Sequence, residues 1–462
     1  MPNRSGYQDR IDTKIHASTL KTEYIPATRH AGTDAKTMPR SSHRSTRTVK
    51  LALTLFAVLI ALTACVNDLN PGGGWSGIVE SGDYLYFGSK DGRLVRVSST
   101  TGTFDQSWSY PSAGADDLGE MYGTPAVSPD GVLYGSAFRC KGNSCTGEIY
   151  AADAISGQSA WASGTFKIET RLVGSVGLGE STLAVGTAAV NGNDEPPGYL
   201  LGLDPTPDAG MGISEQVSNR EKWRLPLNGP VWGGIRVSNN IAYFGTLQHM
   251  LYAVDLSDKP EYANNPESRI IWQFHTGGAI AGTPHVTETN VYIGTFGNNV
   301  YSLDIAYRTQ NPNTNTLNPS TEWSFDTGAW VWAEPVLDNG VLYVANMPGS
   351  VFALDANTGQ MRWAKSATAG KEIVAQPLIF ESNRGPALAV ASGEKDITVI
   401  VIATGQIAGE FVTGGNGIKS SPVSYGDIIF AHTDTGQLRQ YKPNTLALHN
   451  CIDVKGGGKT CK

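Results

Sequence analysis

One sequence repeat occurs about eight times between Trp75 and Lys442, and it constrains the fold more than any other feature. It runs from an apolar or Pro-containing start through a turn and a β-rich run to an Asp, a Thr-Gly pair and often a Trp. The clearest copy begins at Glu334-Pro335-Val336 and ends at Thr358-Gly359 and Trp363. A unit of this length cannot bury its own apolar faces, so the copies must stack on one another.

Each copy divides into four short β-runs, which is the pattern of a four-stranded propeller blade. Composition agrees, since 40% hydrophobic and 17% charged residues with 54 Gly and 24 Pro favour short strands and tight turns. The sequence therefore predicts an all-β fold, an eight-bladed β-propeller of four-stranded antiparallel blades. We place the propeller at residues 74–455 and a Gly-rich tail at 456–462.

The first 64 residues are a different kind of sequence. Leu51 to Ala64 is an uncharged apolar run, too short to span a bilayer comfortably. Basic residues precede it, and Cys65 follows it at once. This is the layout of an export signal, so residues 1–64 are predicted to be a leader with a signal peptide, and Met38 its true start.

The end of the leader carries a second signal. Leu62-Thr63-Ala64-Cys65 resembles the bacterial lipobox, in which the Cys becomes the lipidated first residue of the mature protein. The resemblance implies lipidation of Cys65, with residues 65–73 forming a flexible linker. A plain secretory signal or an uncleaved anchor is the alternative.

The other four of the five cysteines fall into two local pairs. Cys140 and Cys145 bracket a hairpin-sized loop, and Cys451 and Cys461 bracket a Gly-rich segment. Two disulfides are expected in an oxidising compartment. A zinc site is the rival interpretation, but the spacing is not Cys-x2-Cys and no His lies beside either pair.

Net charge limits the partners. Residues 1–64 hold 10 of the 35 Lys+Arg and 4 of the 42 Asp+Glu, which leaves 25 against 38 and a formal charge of −13 for the rest. An acidic body repels phosphate backbones, so we expect no nucleic-acid binding. A membrane link would then run through lipid rather than through a basic patch.

The repeated residues are interpreted as structural. Thr-Gly supplies a turn between the third and fourth strands, the preceding Asp accepts backbone N–H bonds there, and the Trp wedges between neighbouring sheets. In the eighth copy this turn is assigned to Thr435-Gly436.

Function is expected where the copies differ. The position three before the Pro forms one ring near the mouth of the central channel, and several of its members are aromatic. The predicted partner-binding mouth consists of Trp75, Tyr122, Trp232, Trp330 and Trp332. The alternative is that these side chains plug the channel.

Insertions give a second indication. Residues 205–220, 257–268 and 306–321 lengthen third-to-fourth connections and are expected on the face opposite the mouth. The Cys140–Cys145 loop and residues 187–198 are expected beside the mouth. Loops on a rigid scaffold often carry function, although such insertions are also commonly just tolerated length.

The repeat resembles the pyrroloquinoline-quinone (PQQ) propeller motif Ala-x-Asp-x-x-Thr-Gly-x-x-x-Trp. Copies two and six match it closely, at Ala151 to Trp161 and Ala353 to Trp363. The resemblance covers roughly residues 73–455 and implies a circular array of blades. With a lipobox and a single propeller, the chain resembles the outer-membrane assembly lipoproteins of the BamB type.

The quinone dehydrogenases of that superfamily need more than the repeat: a calcium site, a general-base Asp and an adjacent Cys-Cys pair. No Cys-Cys pair exists in this sequence. Acidic stretches at 116–117 and 193–195 could hold a cation, but a solvated loop is the favoured interpretation. We expect no catalytic residues and no metal, PQQ or other cofactor.

The predicted function is a lipid-anchored, non-enzymatic scaffold that binds envelope proteins or peptides, possible roles including outer-membrane protein assembly. We expect an exported monomer that faces the periplasm or the cell exterior. A PQQ- or sugar-binding protein of the quinoprotein dehydrogenase type is the alternative.

Overall fold

The computed structural model describes residues 74–461, apart from 143, 189–197, 311–316, 395 and 455–456. The leader and Cys65 lie outside these residues. All the described residues belong to one compact unit by their contacts. Within the described part of the chain, no helix has the length and apolar character required to cross a membrane.

The first four blades come from the N-terminal half of the described chain. Blade 1 holds β1 Val79–Ser81, β2 Tyr84–Gly88, β3 Leu94–Ser98 and β4 Phe104–Tyr110. Blade 2 holds β5 Ala126–Val127, β6 Val132–Lys141, β7 Ser144–Asp153 and β8 Phe166–Ile168. Blade 3 holds β9 Gly177–Leu178, β10 Leu183–Gly186, β11 Gly198–Leu203 and β12 Glu221–Leu227. Blade 4 holds β13 Arg236–Ser238, β14 Ile241–Gly245, β15 Met250–Asp255 and β16 Ile270–His275.

The remaining strands complete the ring. Blade 5 holds β17 His285–Val286, β18 Asn290–Gly294, β19 Asn299–Gln310 and β20 Leu317–Asp326. Blade 6 holds β21 Val336–Asp338, β22 Val341–Ala345, β23 Ser350–Asp355 and β24 Ala367–Thr368. Blade 7 holds β25 Leu378–Ser382, β26 Gly385–Val390, β27 Ile397–Val401 and β28 Ile407–Phe411. Blade 8 holds β29 Val423–Tyr425, β30 Ile428–His432, β31 Gln437–Lys442, β32 Ala447–Asp453 and β33 Lys459–Thr460. Short 3₁₀ turns lie at Ile213–Glu215, Pro260–Tyr262 and Pro266–Arg269.

The predicted eight-bladed all-β propeller is confirmed. Each blade is an antiparallel meander, and one parallel pairing of Trp272 with Leu317 joins blades 4 and 5 into a single eight-stranded sheet. Residues 459–460, assigned from the sequence to a tail, form β33 and pair with β32. Both expected disulfides are present, Cys140–Cys145 and Cys451–Cys461.

The middle strands of the blades are apolar on both faces because each blade is covered by a neighbour on either side. In β14, for example, every residue after Ile241 is buried. A continuous apolar run of this length is typical of a strand buried on both faces. The core is accordingly divided among the joints, by which we mean the packed surfaces between neighbouring blades. One cluster contains Tyr134 and Trp161 of blade 2 with Leu183 and Leu201 of blade 3.

A tryptophan from each of several blades is pressed against the turn of the next blade. Trp363 of blade 6 donates its indole N–H to Ile402 O at 2.8 Å. Its ring covers Gly405, where a Cβ would lie 2.8 Å from the indole. Trp323 does the same with Ala356 O at 2.9 Å and with Gly359. The turn glycine is therefore required both for its positive φ and for the space that the indole fills.

Blades 3 and 4 replace this turn with long insertions, and an arginine takes the place of the glycine. The Arg220 guanidinium lies 4.3 Å from the ring of Trp161, and the Arg269 guanidinium lies 4.4 Å from Trp223. Arg220 is held by the buried carboxylate of Asp208, whose side chain is only 1% exposed. Stacking of guanidinium on indole thus maintains the joint where the Thr-Gly turn is lost.

The joint between blades 7 and 8 has the large and small partners exchanged. Blade 7 has Gly409 in place of the tryptophan, and the Leu446 side chain fills the space, 2.7 Å from where a Cβ on Gly409 would lie. Leu446 occupies the position of the turn glycine and keeps its positive φ of 56°. The alignment of the eighth copy on Thr435-Gly436 is wrong, because that pair lies between β30 and β31 while the equivalent turn is Thr445-Leu446.

The ring closes by packing of blade 8, from the C-terminal end of the described chain, on blade 1, from its N-terminal end. Gln440 donates its side-chain amide to Gly102 O at 2.8 Å in a buried position. The ring of His432 lies 5.0 Å from that of Phe87 in the same joint. At this joint the Gln440 amide lies against a turn glycine, Gly102, as tryptophan does at other joints.

We expect Trp363→Ala to lower the free energy of unfolding by about 3–5 kcal/mol, since it removes a large buried side chain between two blades. Urea unfolding followed by circular dichroism measures this. The same substitution at the half-exposed Trp330 should cost clearly less. Equal costs at the two sites would contradict the role assigned to the inter-blade indole.

His432 makes the joint between blades 8 and 1 sensitive to acid. Burial lowers the pKa of His432 to about 4, so the unfolded chain binds the proton more readily than the folded one. Its contribution is complete above about pH 6.5 and is lost as the pH falls towards 4, by about 3 kcal/mol in all. His432→Leu should flatten the dependence of the urea midpoint on pH in this window, and an unchanged slope would refute this assignment.

Candidate functional site

All eight positions of the ring predicted from the sequence line one cavity of about 450 Å³ in the centre of the propeller. We call these residues the inner ring: Trp75, Tyr122, Val173, Trp232, Ala281, Trp332, Val374 and Lys419. Each lies just before the first strand of its blade. The volume is within the range of small-ligand sites, about 300–1,000 Å³.

The position after the inner ring is occupied by small residues because neighbouring backbones touch there. These residues are Ser76, Gly123, Gly174, Gly233, Gly282, Ala333, Ala375 and Ser420. A Cβ on Gly282 would lie 2.1 Å from Trp332 O, and one on Gly174 would lie 2.0 Å from Gly233 O. The close approach of the backbones sets the width of the channel.

One residue further along, hydroxyl groups tie neighbouring blades together around the channel. Ser175 Oγ accepts the backbone N–H of Thr124 at 2.9 Å. Thr283 Oγ1 and Ser421 Oγ accept the N–H groups of Gly234 and Gln376 in the same way, each at 3.0 Å. The channel wall is therefore polar and rigid below an aromatic opening.

The aromatic members of the inner ring differ in accessibility. Tyr122 is only 6% exposed, and its O–H donates to Glu120 Oε2 at 2.7 Å, so it forms part of the wall. Trp75, Trp232 and Trp332 are partly exposed. The Trp232 and Trp332 rings lie 6.3 Å apart and meet across the small Ala281 of the blade between them. They narrow the cavity without filling it.

Trp330 does not line the cavity and is the one predicted mouth residue that the structure places elsewhere. Its ring stacks on Phe296 at 4.9 Å, and Phe296 in turn lies 5.6 Å from Trp332. The alignment puts Trp332 at the ring position and Trp330 two residues before it, and of the two only Trp332 lines the cavity. Trp330 belongs to a second, outer ring.

The outer ring is built by one repeated hydrogen bond that sequence reasoning missed. In each case a residue within or just after the second strand donates its N–H to the carbonyl two residues before the inner ring: Phe138 to Glu120, Ala188 to Arg171, Leu247 to Pro230, Phe296 to Ala279, Met347 to Trp330, Gly393 to Glu372 and Asp434 to Gly417. Leu247, Phe296, Trp330 and Met347 are partly exposed, and we call these four the apolar collar. They lie on blades 4 to 6.

Charge is concentrated on the other side of the mouth. Lys419 Nζ lies 3.5 Å from Glu372 Oε2 and 5.3 Å from the ring of Trp75. Burial raises the pKa of Asp434 and of Glu120 in this region. The mouth is thus divided into an aromatic side and a charged side.

Deeper in the channel, one charged group links three blades. Glu334 Oε1 accepts a hydrogen bond from Arg236 Nη2 and lies 3.8 Å from His285 Nδ1. The Glu334 side chain is 10% exposed, so it lies inside the channel. Arg236 and Glu334 both line the cavity.

Antiparallel order places the connections between third and fourth strands opposite the mouth, and the 205–220 and 257–268 insertions lie in those connections. In the third, 306–321, residues 306–310 extend β19 and residues 317–321 extend β20, while 311–316 lie outside the described residues. The Cys140–Cys145 hairpin lies on the mouth side, between β6 and β7. Exposed apolar side chains occur opposite the mouth, at Ile155 and Ile213, which are 84% and 90% exposed.

Among the described residues, no group of three or more His, Cys, Asp or Glu side chains is placed so that it could hold a metal ion. Asp117, in one predicted acidic stretch, pairs with Arg139 at 2.6 Å. The other stretch, 193–195, lies outside the described residues.

Comparison with known proteins gives a family and a fold. A family model described as outer membrane protein assembly factor BamB matches residues 212–447, just over half of the chain. The crystal structure of BamB from Moraxella catarrhalis is similar, with 15% identity, a TM-score of 0.50, and coverage of 72% of this chain and 87% of that one. The computationally designed Ika8 protein is also similar, with 14% identity, a TM-score of 0.51, and coverage of 80% and 97%. No curated protein matches the chain. At these identities the two structures show the fold alone.

We expect Gly282→Ala to lower the free energy of unfolding by about 1–3 kcal/mol or more, since its Cβ would overlap Trp332 O. Gly212→Ala is the matched control, because the nearest atom would lie 3.4 Å from its Cβ. Chemical denaturation of the two variants measures the difference. A neutral Gly282→Ala would mean that the backbones around the channel are not in contact.

Proposed function

Because this chain belongs to the family described as outer membrane protein assembly factor BamB, we propose that it acts as a non-enzymatic scaffold for protein assembly in the cell envelope. The protein is exported and is attached to a membrane through lipid on Cys65. It presents a rigid propeller to other polypeptides and carries out no reaction itself. Blade edges, the mouth and the loops are the surfaces on which such partners dock.

The observation that carries this proposal is the inner ring. A closed ring of blades holds Trp75, Trp232 and Trp332 partly exposed around an open cavity. Tryptophan in a preformed concave site is a favoured anchor for partner side chains, because it contributes a large contact area and loses little conformational freedom. The partner is a polypeptide segment that inserts an apolar side chain between these indoles.

Rigidity supports the same role. The wall of the channel is fixed by backbone contacts at Gly174 and Gly282 and by the hydroxyls of Ser175, Thr283 and Ser421. A preorganised site pays little ordering entropy on binding. Polar groups below the indoles offer hydrogen bonds to the main chain of an inserted segment.

The test is affinity capture of partners from detergent-solubilised envelope with the full-length protein. We expect the double variant Trp232→Ala, Trp332→Ala to lose most of the captured polypeptide, since hot-spot truncations cost about 2 kcal/mol or more each. Ile155→Ala, an exposed apolar residue opposite the mouth, is the control and should capture normally.

Capture that is unchanged in the double variant would contradict a partner site at the mouth. A rise in the thermal midpoint on adding PQQ and Ca²⁺ would instead favour the quinoprotein alternative, because a ligand at 100 times its dissociation constant adds about 2.7 kcal/mol of stability.

A further inference from the structure

The described chain begins at the mouth itself. Gly74 packs against the backbone of Met121, and Trp75, the next residue, is already a member of the inner ring. The ring of Trp75 lies 4.5 Å from that of Tyr122. The first described residue is therefore on the mouth side of the propeller.

The linker between Cys65 and this point is short. Residues 65–73 number nine, and a fully extended chain of that length spans about 30 Å at most. A lipid on Cys65 would hold the mouth within this distance of the bilayer. The opposite face would lie further away by about the length of a strand, roughly 17–20 Å.

The mouth has one sector that is poor in charge. No Lys, Arg, Asp or Glu occurs in its turns of blades 4 to 6, at 228–233, 246–249, 276–282, 295–298, 327–333 and 346–349. One exposed carboxylate, that of Asp326 at the end of β20, lies beside them and accepts the Gly328 N–H at 2.8 Å. Elsewhere on the mouth lie Glu120, Asp434 and Glu372, whose backbone N–H donates to Met347 O at 2.9 Å. Because removing an ionised group from water is costly, this sector contacts the membrane at lower cost than the rest of the mouth.

The side chains in that sector suit the membrane interface. The apolar collar presents Leu247, Phe296, Trp330 and Met347 from consecutive blades. Three backbone hydrogen bonds of 2.7–3.0 Å fix the segments that carry these side chains. Tryptophan is enriched where hydrocarbon meets headgroups, and apolar neighbours add buried area there. The collar is rigid, so its side chains enter the interface together.

We infer that the propeller is held with its mouth toward the bilayer and that the apolar collar is a lipid contact which tilts blades 4 to 6 onto the membrane surface. This inference rests on the lipid anchor of the proposed function. In this orientation the charged side of the mouth, at blades 7, 8 and 1, remains open to water. A polypeptide partner reaches the inner ring from that side.

The experiment places an environment-sensitive fluorophore on the collar through Met347→Cys and, as control, opposite the mouth through Ile213→Cys. The four described native cysteines are in disulfides and do not react. Full-length lipidated protein is reconstituted into phosphatidylethanolamine and phosphatidylglycerol vesicles, with and without brominated acyl chains. The collar label should shift to the blue and be quenched by the brominated lipid, and the control label should do neither.

A second variant separates contact from mere proximity. Adding Leu247→Ser and Phe296→Ser to the collar-labelled protein removes apolar area without substituting Cys65 or any residue of the inner ring. Lipid quenching should then fall most of the way to that of the control. Undiminished quenching would overturn the collar as the contact, and a collar label that is never quenched would overturn the orientation as well.

Other outcomes also discriminate. Quenching of the Ile213→Cys label alone would reverse the orientation. A collar label that is insensitive to lipid but protected by a captured polypeptide would assign the collar to a protein partner. Failure of the proposed function has a different signature, because loss of partner capture in the Trp232→Ala, Trp332→Ala variant does not depend on lipid quenching at Met347→Cys.

Discussion

The ring depends on one kind of contact between neighbouring blades. A large side chain of one blade lies against a turn of the next, at a position where the turn has room for it. Trp323 and Trp363 cover the glycines of the next turn and donate their indole N–H groups to carbonyls there. No blade of four short strands can bury both of its faces alone. The joint is therefore the unit of stability, and a closed ring follows when every joint is satisfied.

The joints show that the requirement is for complementary size rather than for tryptophan. Stacking arginines stand in where insertions remove the turn, as Arg220 does against Trp161. Gly409 and Leu446 exchange the large and small roles, and Gln440 donates to Gly102 O where the ring closes. Each solution keeps a large group in contact with a position that has space for it, as close packing demands.

The same circular arrangement produces the mouth. Equivalent positions must form rings, so whatever stands three residues before the Pro position is brought to the channel opening. Trp75, Trp232 and Trp332 could be assigned to one site from the sequence for that reason. The distinction between Trp330 and Trp332 could not, because it depends on which way each side chain turns from a single loop.

Other features were beyond the sequence for equally physical reasons. The exchange of Gly409 with Leu446 hides the eighth turn, since the repeat is recognised by its glycine and Leu446 has replaced it. The outer ring rests on backbone hydrogen bonds, which place no demand on side-chain identity, so Leu247, Phe296 and Met347 share no recognisable letter. Burial of Tyr122 follows from its contact with Glu120 and Trp75, which no repeat pattern contains.

The central claim is that the mouth of the ring receives a polypeptide in the envelope. Site-specific photocrosslinking from position 332 in intact cells, with position 213 as the reference on the opposite face, tests it most directly. The account predicts a discrete crosslinked polypeptide from position 332 that is lost when Trp232 is replaced by Ala. Crosslinks that arise only from position 213, or none from position 332, would contradict it.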